Sequence, residues 1–237
     1  MILIRSPNSA IAMPMLTIII PTLNAQAALR ETLASVGAGA PQREIIVVDG
    51  GSADETRRIA AAAGAGVLEA PLGRGQQLAA GAIAARGDWL LFLHADTRPV
   101  DAWPEAVASF IADPANGQRA GYFRYALDDP APAARRLETI VRWRNRMLGL
   151  PYGDQGLLIS RAFYNALGGY QRIALMEDIN LVRRIGRRRL VMLEAEALTS
   201  AERYRREGYL RRPVRNALCL ALYSAGVPLR IIAGIYR

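Results

Sequence analysis

The 237-residue sequence contains no lysine, one cysteine and one histidine. All 30 basic residues are therefore arginines, and the formal net charge of +9 comes from guanidinium groups. Guanidinium groups bind phosphates through a planar fork of donors, so nucleic acid, anionic lipid headgroups and a diphosphate ligand are candidate partners. A compositional bias toward arginine would give the same charge without any such partner.

The single cysteine, Cys219, excludes a disulfide bond within the chain and any cysteine-based metal site. It lies in an apolar, helix-like stretch, where we expect a buried structural thiol. This cysteine usage fits a reducing cytoplasm.

Long apolar runs are also missing from the sequence. No stretch of about 18 apolar residues occurs, which argues against a membrane span. Residues 1–14 are too short and too weakly charged for a signal peptide, and we expect a flexible tail there. Because 51% of residues are hydrophobic, we expect 15–200 to fold as one domain, followed by a helical extension at 201–237.

Strand-like and helix-like patterns alternate over the first hundred residues. Short apolar runs predict strands at 16–20, 44–48, 67–68 and 89–93, and apolar residues at helical spacing predict helices at 25–36 and 76–85. A Ser-x-x-Glu capping box at 52–55 predicts another helix directly after the turn at 49–51. This order is typical of a doubly wound α/β sheet, whose ligands bind beyond the carboxyl ends of the strands.

The pattern is less regular after residue 100. It predicts strands at 120–127, 157–159 and 190–193, and helices near 102–112, 133–148 and 177–186. Two further helical stretches, interrupted by Pro213 and Pro228, are expected at the carboxyl end.

Three aspartates fall where strands or turns end, at Asp49, Asp96 and Asp154. One such aspartate is usually a turn former or helix cap, but three together favour a ligand site. His94 and Asp96 should lie on the same side of an extended chain. A divalent cation that also binds a diphosphate needs only one or two protein ligands, so Asp96 alone could suffice. The oxygen preference of Mg and Mn favours a contact of His94 with ribose or phosphate over metal ligation.

Two helix starts carry further candidate residues. The turn at Gly73 and Arg74 offers backbone N–H groups and a positive dipole end to a phosphate, although an ordinary solvated turn would look the same. Glu177 and Asp178 open a later helix, where one of them could accept a hydroxyl proton. Alternatively, the two acids only stabilise the start of the helix, as acidic residues at a helix N-terminus generally do.

The order and spacing of these motifs resemble the family-2 glycosyltransferases of the GT-A fold. The resemblance rests on the segments 18–24 (IIIPTLN), 47–54 (VVDGGSAD), 92–96 (FLHAD), 153–155 (GDQ) and 177–178 (ED). It is strongest for a small bacterial subgroup that has His-Ala-Asp in place of the Asp-x-Asp motif. It implies a Rossmann-like, mostly parallel central sheet with helices on both faces and a C-terminal helical extension.

The resemblance also implies an activity, namely metal-dependent, inverting transfer of a sugar from a nucleotide-diphosphate sugar to an acceptor hydroxyl. Its implied donor contacts are Pro21, Thr22, Asn24, Asp49, Gly73, Arg74, His94 and Asp96. Asp96 would bind Mn or Mg, and the missing first carboxylate, replaced by His94, affects the ribose contact and the strength of metal binding. Asp154 and Gln155 would line the acceptor side. Asp178 would be the base, with Glu177 as second choice.

The tail from 202 to 237 combines arginines with apolar segments. It could rest on an anionic membrane at the inner face of the plasma membrane, near a lipid-linked acceptor. It could instead pack on the catalytic domain as a helical pair or form a homodimer contact. Arg205 or Arg206 could also reach the donor diphosphate.

Two other functions compete with glycosyl transfer. A sugar-phosphate nucleotidyltransferase would normally open with a Gly-rich loop followed by Arg and Lys, whereas Pro-Thr-Leu-Asn stands there. A non-enzymatic, Arg-rich anion or nucleic-acid binder would have stacking aromatics or a helix-turn-helix pattern, and aromatics amount to only 7%. We therefore expect no nucleic-acid partner.

Overall fold

The computed structural model describes residues 15–37, 43–100, 102–173 and 175–236, so the expected tail at 1–14 lies outside the described residues. The strands are β1 (Leu16–Thr22), β2 (Arg43–Asp49), β3 (Gly66–Glu69), β4 (Trp89–Phe92), β5 (Thr97–Val100), β6 (Ala120–Leu127), β7 (Leu157–Ser160) and β8 (Leu190–Thr199). The helices are α1 (Gln26–Gly37), α2 (Thr56–Ala62), α3 (Arg74–Ala84), α4 (Trp103–Ala112), α5 (Pro132–Leu148), α6 (Arg161–Ala166), α7 (Glu177–Ile185), α8 (Glu202–Glu207), α9 (Arg211–Ser224) and α10 (Leu229–Tyr236).

One sheet of eight strands runs through the domain in the order β3-β2-β1-β4-β7-β6-β8-β5. The first four strands in this order are parallel, as the βα alternation predicts. β7 then pairs antiparallel with both β4 and β6, while β6 and β8 are parallel. The expected α/β fold is confirmed, and its second half is a mixed sheet.

The central strand β1 separates two apolar cores. Ile18 and Ile20 pack with α1 and α4 on one face, whereas Ile19 packs with α3 and α7 on the other. All seven residues of β1 are buried, because a parallel strand covered on both faces has no polar side. Helices therefore cover both faces of the sheet at β1, as the sequence predicted.

The C-terminal helices pack on the domain. Cys219 of α9 and Ile232 of α10 are fully buried against Leu175, Met176 and Ile179 at the start of α7. The buried thiol and the packed helical pair are therefore confirmed. Among the described residues, no helix is both long and apolar enough to cross a bilayer.

Some local predictions were wrong. The capping box at 52–55 does not form, because the Ser52 hydroxyl donates to Asp49 and accepts from the Asn24 backbone, and α2 starts only at Thr56. β5 was missed because Pro99 interrupts it, which is tolerated at the sheet edge where β5 lies. The short helix α6 was missed as well, and β8 extends six residues past the predicted end at 193. The predicted helical extension contains three helices and not two, and α9 continues through Pro213, which lies in its first turn and does not interrupt it.

Candidate active site

A cleft with two joined compartments lies at the carboxyl ends of β1 and β4. The first compartment has a volume of about 440 Å³ and is lined by the segments after β1 and β4 and the starts of α3 and α8. The second, of about 80 Å³, lies between the turn at 152–154, the start of α7 and the C-terminal helices. Both compartments share five lining residues, which are Arg74, His94, Asp96, Ser200 and Arg203.

The end of β1 supplies one wall of the first compartment. Pro21, Thr22 and Asn24 all line it, as predicted. The Thr22 hydroxyl donates to a carboxylate oxygen of Asp49 at 3.2 Å. Asn24 has a left-handed φ of 49°, and its side-chain oxygen accepts from the Ala53 amide at 2.9 Å. These bonds hold the wall in place.

Asp49 itself lies behind this wall and does not line the cleft. It is fully buried, and its carboxylate accepts bonds from the Gly51 and Ser52 amides at 3.1 and 2.9 Å. Burial raises the pKa of Asp49, but the bonds from Ser52, Gly51 and Thr22 outweigh it, so the pKa is lowered. Asp49 therefore braces the loop that follows β2.

The start of α3 forms the opposite wall. Gly73 precedes it with a left-handed φ of 136°, and Arg74 lines both compartments. A side chain at Gly75 would come within 2.5 Å of the Gln171 carbonyl, so only glycine lets α3 approach this segment. The close approach allows the Arg74 guanidinium to donate to Glu177 at the start of α7.

Glu177 is not part of the cleft lining. Its side chain is 1% exposed and forms an ion pair with Arg74. Burial raises the pKa of this carboxyl, and the charge of Arg74 opposes the rise. Its second carboxylate oxygen has no hydrogen-bond partner within the described part of the chain. The geometry makes Glu177 the support of Arg74.

His94 and Asp96 both line the two compartments, but they do so from a turn closed by the bond from the Thr97 amide to the His94 carbonyl at 3.2 Å, and not from the extended chain that was predicted. Burial, and then the charge of Arg74, lower the pKa of His94 to about 4, so its imidazole is neutral at pH 7. The Asp96 carboxylate is 25% exposed and lies 3.7 Å from the Arg203 guanidinium. A side chain at Gly153 would lie 2.5 Å from the His94 Nε2 atom, so this glycine makes room for the ring.

Asp154 and Asp178 line the second compartment. Asp178 accepts bonds from the backbone amides of Gly153 and Ile179 at 2.9 and 2.7 Å. Asp154 Oδ1 is buried and has no partner among the described residues. Burial raises the pKa of Asp154 to about 6, Arg144 opposes the rise, and the charges of Asp178 and Asp96 add to it. A carboxyl with such a pKa exchanges its proton near neutral pH.

Gln155 is fully buried and lies outside the cleft lining. Its side-chain oxygen accepts from Asn145 at 3.0 Å and Arg144 at 3.2 Å, and its nitrogen donates to the Phe123 carbonyl at 3.1 Å. Gln155 therefore fixes the turn that presents Asp154.

The C-terminal region supplies half of the second compartment, seven of its fourteen lining residues. These are Thr199, Ser200, Arg203, Tyr204, Arg212, Asn216 and Tyr236. Arg205 and Arg206, which were expected to reach the donor, line neither compartment, because Arg205 pairs with Asp129 and Arg206 with Glu207. Helical spacing could have indicated Arg212 and Asn216, which are four residues apart on one face of α9.

Within the described ranges, no group of three or more His, Cys, Asp or Glu side chains is arranged to hold a metal ion by itself. Any cation in the cleft would therefore complete its coordination with ligand atoms and water, as Mg²⁺ commonly does. Asp96 is suited to such a role, because it offers oxygen ligands at the junction of the two compartments.

Comparisons with known proteins match this architecture. A family model described as glycosyl transferase family 2 matches residues 17–178. No curated protein sequence matches the chain. Among solved structures, the fold is similar to a mannosyltransferase from Pyrobaculum calidifontis in complex with GDP-Man and Mn²⁺, with 19% identity and a TM-score of 0.64. That match covers 87% of this chain and 61% of the mannosyltransferase.

Two other structures are similar in fold. Glucosyl-3-phosphoglycerate synthase from Mycobacterium tuberculosis, in complex with Mn²⁺, UDP and glucosyl-3-phosphoglycerate, has 19% identity and a TM-score of 0.58 over 91% of this chain and 81% of that chain. TarS from S. aureus has 16% identity and a TM-score of 0.60, over 88% of this chain and 39% of TarS. The chain thus spans less than two thirds of the mannosyltransferase and of TarS.

Proposed function

The chain belongs to glycosyl transferase family 2, and on that premise we propose that it transfers a sugar, with inversion at the anomeric carbon, from a nucleotide-diphosphate sugar to an acceptor hydroxyl. The observation that carries this proposal is that Asp96 and Asp178, far apart in the chain, line one compartment. One carboxylate is needed near the leaving diphosphate and another near the attacking hydroxyl.

The donor binds in the first compartment. Its volume of about 440 Å³ lies within the usual range of small-molecule sites. Pro21, Thr22 and Asn24 face the nucleoside, while Gly73 and Arg74, at the start of the eleven-residue helix α3, face the phosphates. Backbone N–H groups and the positive dipole end of a helix favour a phosphate there.

A divalent cation, Mn or Mg, is part of this proposal. When bound, it neutralises the charge that develops on the diphosphate as the bond to the sugar breaks. Asp96 would hold it, because this carboxylate is partly exposed and its ion pair with Arg203 is loose at 3.7 Å. The neutral His94 adds no positive charge beside it. Two of the solved structures of similar fold contain Mn²⁺, which supports the choice of ion.

Asp178 accepts the proton of the acceptor hydroxyl. Two backbone amides orient its carboxylate toward the second compartment, and each oxygen keeps a further lone pair for the incoming hydroxyl. Glu177 is the weaker candidate, because it is buried behind Arg74. Asp154, whose Oδ1 has no partner within the described chain, is placed to bond the acceptor.

The tail adds an expectation about the acceptor. Leu210, just before α9, and Val214 and Leu218 on it are exposed at a spacing of four residues, which supports a membrane contact and a lipid-linked acceptor. A homodimer would cover the same residues. Sedimentation of the detergent-free protein distinguishes the two, because only a dimer doubles the mass.

The proposal is tested by thermal shift with UDP-, GDP- and dTDP-sugars, each with and without Mn²⁺. A ligand that binds only the folded state raises the melting temperature. One nucleotide class should stabilise the protein, and Mn²⁺ should strengthen the effect. If none of the donors raises the melting temperature in the presence of Mn²⁺, donor binding is refuted.

A further inference from the structure

The outer face of α5 has large apolar side chains that are exposed to solvent. Ile140, Trp143 and Met147 are 59%, 60% and 48% exposed, and their spacing of three and four residues puts them in one stripe along the helix. Leu148 at the end of α5 is 51% exposed as well. The opposite side of α5 is buried on the domain through Leu137 and Val141, so the stripe belongs to an ordered helix. An apolar stripe of this kind marks an interaction surface.

The charges beside the stripe are almost all positive. Arg136, Arg142 and Arg146 are exposed and have no acidic partner within the described part of the chain. The one acid of α5, Glu138, is buried and holds Arg135 at 2.7 Å. The helix therefore presents to solvent an apolar stripe flanked by uncompensated arginines.

The basic surface continues past the end of α5. Arg187 packs directly on Gly149, where a Cβ atom would lie 2.6 Å from the Arg187 Cβ atom. Arg188 and Arg189 follow it and are exposed. The next strand adds Met192, 47% exposed, which lies beside Arg142. Glu194 is the nearest exposed acid along this strand, and Glu196 is paired with Arg124 at 2.9 Å.

We propose that this face, defined by α5, Arg187–Arg189 and Met192, binds an anionic lipid bilayer surface. A bilayer offers anionic headgroups to the arginines and an apolar layer to the stripe, including the interfacial zone that tryptophan prefers. A second copy of the chain is disfavoured, because the isologous contact of a symmetric dimer would place arginines opposite arginines. The inference does not rest on the transfer reaction.

The three tryptophans make a direct test possible. Trp89 and Trp103 are 7% and 4% exposed in the core, so a change in emission on membrane binding reports on Trp143. The full-length protein is mixed with vesicles of phosphatidylcholine alone or with about one third phosphatidylglycerol. We expect a blue shift and co-sedimentation with the anionic vesicles only. Absence of both with anionic vesicles overturns the proposal.

Variants separate lipid binding from binding of other anions. Trp143→Ser should lower partition into anionic vesicles about fivefold or more, because the indole ring is no longer buried in the apolar layer of the bilayer. Arg142→Gln with Arg146→Gln should lower it about 25-fold, since each arginine near such a surface contributes about fivefold. Ile83→Ser is the matched control, because Ile83 is 78% exposed on α3, outside this face, and its removal should change nothing.

Two outcomes would contradict the proposal. If the arginine variants reduce vesicle binding but Trp143→Ser does not, the face is held at anionic headgroups by charge alone and the apolar stripe takes no part. If Ile83→Ser weakens partition as much as Trp143→Ser, binding is not confined to this face. Unchanged circular dichroism and melting temperature of each variant exclude loss of folding as the cause, since all four side chains are solvent-exposed.

Discussion

Asp178 accepts a hydrogen bond from the backbone amide of Gly153 at 2.9 Å, which joins the start of α7 to the turn that carries Asp154. An asparagine keeps one acceptor oxygen for this bond, while its NH₂ group replaces the oxygen that accepts from the Ile179 amide. The carboxylate charge and the structural bond can therefore be separated by one substitution.

Asp178→Asn should reduce the transfer rate by about 100-fold or more, the usual contribution of a general base, while donor binding stays unchanged. The rate is measured with saturating donor, and donor affinity by thermal shift. Asp88→Asn is the control, since it makes the same change at an exposed acid that does not line the cleft. If the rate of Asp178→Asn were undiminished, another group would accept the proton, and Asp154 would be the next candidate.

Asp96→Ala should abolish the Mn²⁺-dependent part of donor binding and leave the ligand-free melting temperature almost unchanged. The side chain is 25% exposed, and its one ion pair is loose, so little stability depends on it. Titration of donor with and without Mn²⁺ measures the effect. Asp88→Ala, at an exposed acid away from the cleft, should behave as the wild type.

Asp154 should make stability depend on pH. Its pKa in the folded state is raised to about 6 from an ordinary value of 3.8, so the folded state binds this proton more tightly. The stabilisation is present below pH 4 and is lost as pH rises through 6. Asp154→Asn should therefore raise the melting temperature at pH 7.5 by up to about 6–12 °C, or about 3 kcal/mol, with little gain at pH 4. An equal gain at both pH values would contradict the assignment.

Arg74→Gln should destabilise the fold by about 3 kcal/mol, because the buried Glu177 carboxylate loses its partner. Adding Glu177→Gln removes the unpaired, buried carboxylate charge, so the double variant should recover most of the stability. Donor affinity should stay low in both variants, since Arg74 lines the first compartment. Urea unfolding and donor titration measure the two quantities separately. Recovery of donor affinity in the double variant would remove Arg74 from the donor site.

Gly153→Ala should lower transfer because the new methyl group would lie 2.5 Å from His94 Nε2 and must displace the ring. We expect a loss of about 100-fold, as for comparable displacements in other active sites. Gly117→Ala is the control, since its Cβ would meet nothing within 4 Å and its φ is not left-handed. If Gly153→Ala retained full activity, the position of His94 would not matter for the reaction.

The sequence predicted the parts of the fold that depend on local patterns. The buried runs around Ile18–Ile20 and Leu90 form strands because a short apolar run between turns favours one. β5 was not predicted because it forms by pairing with β8, which is distant in the chain, and because Pro99 locally disfavours a strand. The convergence of Asp96 and Asp178 followed from their places at strand and helix ends.

Side-chain direction was less predictable than position. Asp49, Gln155 and Glu177 stand where their motifs put them, but each side chain bonds to a protein partner instead of facing the cleft. The partners are Ser52, Asn145 and Arg74, respectively. Which partner a carboxylate or amide finds depends on neighbouring elements. The sequence likewise did not predict that Arg203 and Arg212 line the second compartment, because their positions depend on how the C-terminal helices pack on the domain.

The family match ends at residue 178, whereas half of the second compartment comes from residues 199–236. To the first compartment the later stretch contributes only Ser200, Glu202 and Arg203. If the acceptor binds in the second compartment, as proposed, changes in α9 and α10 can therefore reshape its site and leave most of the donor compartment as it is. Chimeras that exchange only the segment after β8 between related enzymes should therefore exchange acceptor choice.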